Sequence, residues 1–397
     1  MIIQIILFLF LGIMFGTLTG LIPGIHINLV GIAIVSLASS IFYSLNSIYL
    51  IIFITAMAIT HTFLDFIPSI FLGCPDTDTE LSILPGHQLL KKGHGYQAIL
   101  LTAYGSLAAI FILILIAFPS ILIISKTYNT LSKFIPYFLI LISLTLIFLE
   151  NKKSKAILVF SITGLLGWSV LNFPSLNQPL FPLLTGLFGS SMLLKSIKNK
   201  IIIPKQIIEK PQTNLIKPIL GAIIASPLCS FLPGLGSGQA AIIGNTISLK
   251  KENKKGFLVL LGATNTLVMG FSFISLYIIS KTRTGAAIAI QKVAPKITPQ
   301  ILILILFITL ITGIISFFLT DFLAKFFSIK ISKFNYTKIS TTTLILLIII
   351  VFLISGFLGI FILIISTLTG IYCISLGVRR TNMMGCLLIP TILFYFI

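Results

Sequence analysis

The chain has 397 residues, 57% of them hydrophobic and only 9% charged, whereas a soluble domain carries roughly 25% charged residues. Lys and Arg total 27 against 8 Asp and Glu, a net charge of 27 − 8 = +19. The Lys residues sit mostly in short segments between apolar runs, so the excess reads as positive-inside bias and contact with anionic membrane lipid, not as nucleic-acid binding. Mean hydropathy is +1.15, apolar runs of spanning length recur from end to end, and no β-barrel alternation is present. This predicts an all-α polytopic membrane protein, multi-pass in the cell membrane, with about ten to twelve transmembrane or re-entrant segments. Cys74, Cys229, Cys373 and Cys386 are scattered and form no CxxC, which indicates neither a disulfide framework nor a zinc site.

Residues 1–22 make the first span. They lack a basic n-region and a cleavage site, which favours a membrane helix over a signal peptide. The span stops at Pro23-Gly24, and a shorter apolar piece covers 27–42. Pro and Gly together end a helix, and inside a bilayer such a break is tolerated only under protein or beside a water-filled cavity. A broken helix or re-entrant hairpin is expected here. The next span, 48–72, contains His61, Asp65 and Pro68, and a polar stretch follows to residue 96. Further spans are expected over 98–125, 134–149, 156–172 and, marginally, 179–194.

Residues 195–217 hold six Lys and one Glu, and read as a basic cytoplasmic linker. This divides the chain into a first half (1–194) and a second half (218–397). The second half repeats the scheme: 219–232 runs into Pro233-Gly234, then 239–249, then spans over 257–280 and 301–323. Two or three more spans lie in 341–397, interrupted near Arg379-Arg380.

The halves share short motifs. Leu21-Ile-Pro-Gly-Ile25 resembles Phe231-Leu-Pro-Gly-Leu235, and Thr77-Asp-Thr-Glu-Leu-Ser-Ile83 resembles Thr282-Arg-Thr-Gly-Ala-Ala-Ile288. Paired Pro/Gly-interrupted segments in two repeats are the sequence pointer to a transporter's central site. Free N–H groups at a broken helix bind anions, and Gly24 and Gly234 permit close approach. Pro23, Gly24, Asn28, Pro233, Gly234, Gly236, Ser237, Gly238 and Gln239 are therefore candidate substrate-binding residues. The plainer alternative is close helix packing through small residues.

Four of the eight acids, Asp65, Asp76, Asp78 and Glu80, fall within sixteen residues. They are candidates for coupling a cation or proton, since hard cations take oxygen ligands. Asp78 could instead cap the helix that follows. Asp65 stands inside an apolar run, where an ionisable group marks function by default. His61 shares its helix face, but a metal site would need a third ligand such as His87 or His94, and no HExxH is present. Lys281 and Arg283 stand where the first half carries acids, and either bind anion charge or form a basic loop. Thr264, Asn265 and Thr266 are candidate polar lining. Arg379-Arg380 reads as a cytoplasmic anchor.

Several of these motifs carry a resemblance. Phe63-Leu-Asp-Phe-Ile-Pro-Ser-Ile70, then Pro75-Asp-Thr-Asp-Thr-Glu80 and Leu84-Pro-Gly-His-Gln-Leu-Leu-Lys-Lys-Gly93, resemble the permease subunit of the tripartite tricarboxylate transporter (TctA) family, in a shorter archaeal-type form. Leu232-Pro-Gly-Leu-Gly236 and Pro182-Leu-Leu-Thr-Gly-Leu-Phe-Gly189 resemble further signatures of it. The resemblance implies no enzyme and no cofactor. It implies instead a secondary active transporter for a small organic anion such as a di- or tricarboxylate, driven by a proton or sodium gradient. A small membrane subunit and an extracytoplasmic binding protein assist typical members, and a homo-oligomer is compatible with such a chain. A channel or passive exporter, or a membrane-embedded enzyme acting on lipid-linked substrate, are the alternatives.

Overall fold

In a computed structural model the described residues are 2–22, 46–73, 79–148, 150–174, 176, 178–198, 203–231, 237–248, 253–280, 282, 284–332 and 335–396. Among them eight helical segments are long and apolar enough to cross a membrane, and two shorter apolar segments cover Pro136–Phe148, the end of a longer helix, and Ile216–Phe231. The protein is an all-α, multi-pass membrane protein.

The first half begins with α1 (Ile2–Leu21), α2 (Ser47–Leu64) and α3 (Phe66–Leu72). A 3-10 turn at Glu80–Ser82 leads into the short α4 (Ile83–Leu90), and α5 follows over Gly95–Phe148. Then come α6 (Lys153–Leu171), α7 (Leu180–Leu184), a π turn (Thr185–Ser190) and α8 (Ser191–Lys198). The second half has α9 (Ile216–Phe231), α10 (Ser237–Ser248), α11 (Lys254–Ile279), α12 (Gly285–Val293), α13 (Pro299–Ile331) and α14 (Tyr336–Ser375). A 3-10 turn (Arg380–Met384) and α15 (Gly385–Phe396) close the chain.

Two helical segments lie at the centre. The α2–α3 segment and α11 each have 94% of their apolar window buried, while α1 has 22% and α14 has 28%. A helix that is apolar all round and buried all round is a bundle core; its neighbours meet lipid with their outer faces. Each central segment is flanked by the other half: α13 and α12 pack on α2, and α5 and α4 pack on α11. In addition, α1 packs on α2, and α9 and α10 on α11.

Small residues make these approaches possible. Gly12, Gly16 and Gly20 line one face of α1, and a Cβ on Gly16 would stand 2.5 Å from the Met57 carbonyl oxygen of α2. A Cβ on Gly105 of α5 would lie 2.0 Å from the Val259 oxygen of α11, and one on Gly262 would lie 2.0 Å from the Thr102 oxygen of α5. These two helices therefore touch backbone to backbone.

Two boundaries depart from expectation. The helix runs unbroken from 95 to 148, joining the spans expected at 98–125 and 134–149. Straight, it would measure about 80 Å, against a hydrocarbon core of about 30 Å. Pro119 and Pro136 lie inside it, each removing one backbone hydrogen bond, and such positions are where long helices bend. Conversely, α14 is interrupted at Gly356, whose φ of 64° and ψ of −159° are not helical. Only glycine adopts that conformation readily.

The linker is docked where it is described. The Gln206 side chain accepts from the Gly95 backbone N–H at 2.8 Å and donates to the Leu90 carbonyl at 3.1 Å, and the Ile207 N–H donates to the Gly93 carbonyl at 2.7 Å. It thereby satisfies backbone groups of the turn between α4 and α5.

Candidate functional site

The site begins with a helix break that Pro68 explains. A proline lacks the N–H that would bond four residues back, and its ring crowds that carbonyl. Here the residue four back is Leu64, where α2 ends, and Asp65 occupies the junction with α3. Asp65 keeps helical angles (φ −60°, ψ −20°) and its N–H still donates to the His61 carbonyl at 3.0 Å. Its own carbonyl accepts from the Ser69 hydroxyl at 2.8 Å. The carboxylate thus lies inside the Ser47–Leu72 span, 3% exposed.

The second half supplies its partner. The Asn265 side-chain amide on α11 donates to Asp65 Oδ2 at 2.8 Å, and the same nitrogen reaches the Thr62 carbonyl at 3.4 Å. The Thr62 and Thr266 hydroxyls are 3.3 Å apart. All four side chains are buried. A hydrogen bond to a buried carboxylate is worth about 1.5–3 kcal/mol. The Ser106 hydroxyl donates to the Gly262 carbonyl at 3.0 Å, one turn from Asn265, tying α5 to the same region of α11.

Two hydroxyl pairs surround this centre. Ser69 Oγ lies 2.6 Å from Thr79 Oγ1, linking α3 to the turn before α4. Ser272 Oγ lies 2.7 Å from Thr284 Oγ1, linking α11 to the turn before α12. Thr284 also caps α12 by accepting from the Ala287 N–H at 3.4 Å. On α2, the His61 ring Nδ1 is 3.1 Å from Thr19 Oγ1 of α1, and the Ser316 hydroxyl of α13 donates to Thr60 Oγ1 at 3.0 Å.

On α4, His87 is buried with Nδ1 2.7 Å from the Ile70 carbonyl. A carbonyl only accepts, so Nδ1 carries the proton. Burial pushes this imidazole down to about 4, further lowered by Lys91 and Arg380, while the Ile70 contact opposes the shift. Among the described residues no group of three His, Cys, Asp or Glu gathers as a metal site would require.

The structure brings Asp65, Asn265, Thr62 and Thr266 together. Thr264 is buried on α11, but its hydroxyl donates to the Leu261 carbonyl of its own helix. Ser237 and Gly238 are buried in the first turn of α10, which also carries Gln239. Glu80 starts the 3-10 turn. Pro23, Gly24, Asn28, Asp76, Asp78, Pro233, Gly234, Gly236, Lys281 and Arg283 lie outside the described residues. Thr79 reads from the sequence, with Thr77, as a further oxygen donor beside the clustered acids, but sequence reasoning passed over Thr62, Ser69, Ser272 and Thr284. Their only signal is a hydroxyl within or beside an apolar run, which a Ser or Thr bonded to its own helix shares. Arg379 and Arg380 do not form a free anchor: Arg379 pairs with Glu150 at 3.5 Å, and Arg380 turns inward to the Phe188 carbonyl.

The chain matches the profile described as Tripartite tricarboxylate transporter TctA family over residues 6–385. It is 34% identical over 401 residues to the uncharacterized protein MJ1079 of Methanocaldococcus jannaschii, with 98% of each chain covered. No solved structure matches it significantly.

Proposed function

The chain belongs to the tripartite tricarboxylate transporter TctA family, and from that premise we propose that it is a secondary active permease for a di- or tricarboxylate, driven by a proton or sodium gradient. The observation that carries the mechanism is the buried Asp65–Asn265 contact between the two central helical segments. A carboxylate there can take up a proton or share a cation, and doing so changes what it offers Asn265. Binding at Asp65 thereby bears directly on how α2–α3 and α11 sit against each other, which is what coupling an ion to a conformational change requires.

The proposal includes two related halves, 1–194 and 218–397, joined by the linker at 195–217. The Ser69–Thr79 and Ser272–Thr284 pairs support it, since each joins a central segment to the turn before a short helix. The mutual flanking of α2 and α11 by the opposite half supports it too. In this reading the Pro23-Gly24 and Pro233-Gly234 breaks, with Asn28, Gly236, Ser237, Gly238 and Gln239, hold substrate carboxylates at free backbone N–H groups. Lys281 and Arg283 add positive charge, while Asp76, Asp78 and Glu80 assist Asp65. A small membrane subunit and an extracytoplasmic binding protein are the expected partners.

Reconstitution into proteoliposomes tests this function. Labelled citrate should exchange against unlabelled citrate inside, and a competition series should favour di- and tricarboxylates over monocarboxylates. Net accumulation should need an imposed proton or sodium gradient. Flux that neither saturates nor responds to either gradient would reveal a channel instead.

A further inference from the structure

We propose that Arg380 is the recognition group of a second site, which binds an oxyanion, a phosphate or a carboxylate. It lies where the 3-10 turn Arg380–Met384 meets the π turn Thr185–Ser190, with α4 nearby. These elements differ from those carrying Asp65 and Asn265, so the proposal does not rest on the transport reading.

The guanidinium is only partly committed. Its Nη2 donates to the Phe188 carbonyl at 2.7 Å and stands 3.5 Å from Ser191 Oγ, and the group lies over the Phe188 ring at 5.6 Å. Nε and Nη1 are sealed from solvent and have no hydrogen-bond partner among the described residues. The residue keeps some exposed surface, but not at these two nitrogens. An arginine presents its donors in two forks, Nε with Nη2 and Nη1 with Nη2, and each fork matches an oxyanion. Both forks here have an unfilled side. Burying a cation without a counter-charge is costly, and among the described residues Nε and Nη1 have no acceptor to offset it. The π turn that provides the Phe188 carbonyl is a rare geometry which recurs at functional sites.

Several basic groups gather nearby. Arg380 is pushed down to about 10 by burial. The nearby His87 feels both Lys91 and Arg380, and Lys91 in turn is lowered by burial and by Lys195. Glu150, the acid that approaches this loop, is committed elsewhere. Its Oε1 accepts from the Arg379 N–H at 3.1 Å and the Asn382 amide at 3.2 Å, beside Arg379 Nε at 3.5 Å. Among the described residues no carboxylate pairs with Arg380. A mobile oxyanion would supply both the missing acceptors and the missing negative charge. Either a lipid phosphate or a free anion has this chemistry.

Thermal unfolding of the purified full chain separates the two sources. One arm titrates inorganic phosphate or acetate into delipidated protein in neutral detergent. The other compares nanodiscs containing phosphatidylglycerol with pure phosphatidylcholine, and chloride at matched ionic strength is the control. The proposal expects a saturable rise in Tm in at least one arm. Arg380→Gln should weaken the apparent affinity by about tenfold or more, as loss of a charged fork does, and Arg380→Lys should retain part of it. A response to phosphate or acetate without lipid identifies a free anion; a response to phosphatidylglycerol alone identifies a headgroup. Wild-type protein that shows no saturable shift beyond chloride overturns the proposal, and so does an Arg380→Gln variant that responds like wild type. If Arg380→Gln does not fold, the wild-type titration and Arg380→Lys decide the question.

Discussion

Replacing Gly262 with alanine tests the backbone contact that seats α11 against α5. A Cβ there would lie 2.0 Å from the Thr102 carbonyl oxygen, 2.7 Å from its carbon and 2.8 Å from its Cα. Real Cβ atoms stay beyond 3.0 Å, so the two helices must part by about 1 Å, and overpacking of this kind typically costs about 1–3 kcal/mol. The upper end applies, because the obstacle is backbone and cannot rotate aside. The same displacement strains the Ser106–Gly262 hydrogen bond of 3.0 Å. Gly270 is the internal control. Its Cβ would lie 2.1 Å from Leu113 Cδ2, the end of a flexible side chain, which can adopt another rotamer. Both changes gain the same helix propensity, up to about 1 kcal/mol, so the difference reports the contact alone. Thermal and denaturant unfolding in detergent should rank Gly262→Ala clearly below Gly270→Ala. Equal stability, or the reverse order, would refute the backbone-to-backbone packing of α5 and α11.

Three further predictions concern other elements. Folding holds the His87 imidazole at about 4, below its ordinary 6.5. Its contribution is therefore full above about 6.5 and is lost as pH falls toward 4, on the order of 3 kcal/mol across that interval. The Tm of wild type should fall more steeply with acidification than that of His87→Asn, and parallel profiles would show that the neutral ring contributes nothing. Gln206→Ala should release the linker from the α4–α5 turn and leave the Gly95 N–H without its acceptor, at about 1–3 kcal/mol. Limited trypsin digestion at Lys205 should accelerate, and unchanged cleavage would mean the linker is held by other contacts. Asn265→Ala should slow gradient-driven uptake at least tenfold if the charged hydrogen bond to Asp65 is worth about 1.5–3 kcal/mol to the coupled state. Wild-type rates would remove Asn265 from the mechanism.

The fold class was legible because hydropathy alone decides it: the spans at 1–22, 48–72 and 257–280 closely match α1, α2–α3 and α11. Their internal irregularities were less so. Ser125, Lys126, Thr127, Asn129 and Lys133 read as a loop, yet residues of this kind continue a helix where it emerges from the apolar zone, and α5 runs through them. The π turn at Thr185–Ser190 has no compositional mark, because it is set by packing: Gly186 faces Ser366 and Leu363 of α14 at under 3 Å from an added Cβ.

The site was legible in part. Asp65 is conspicuous as an acid in an apolar run, and Asn265 as part of a polar cluster in a span. Their contact joins residues 200 positions apart, which local pattern cannot reveal. Arg380 was misjudged for a related reason. Its neighbours Gly377, Arg379 and Thr381 suggest an exposed turn, and only the docking of that turn on Glu150 and the Phe188 carbonyl turns the side chain inward.

The most direct test of the account is labelled-citrate transport by Asp65→Asn in proteoliposomes, measured both as exchange at equal concentrations and as accumulation under an imposed proton or sodium gradient. Asparagine keeps the size and removes the charge and the titration. The account predicts that exchange persists while gradient-driven accumulation is abolished. Accumulation equal to wild type under the same gradient would contradict it.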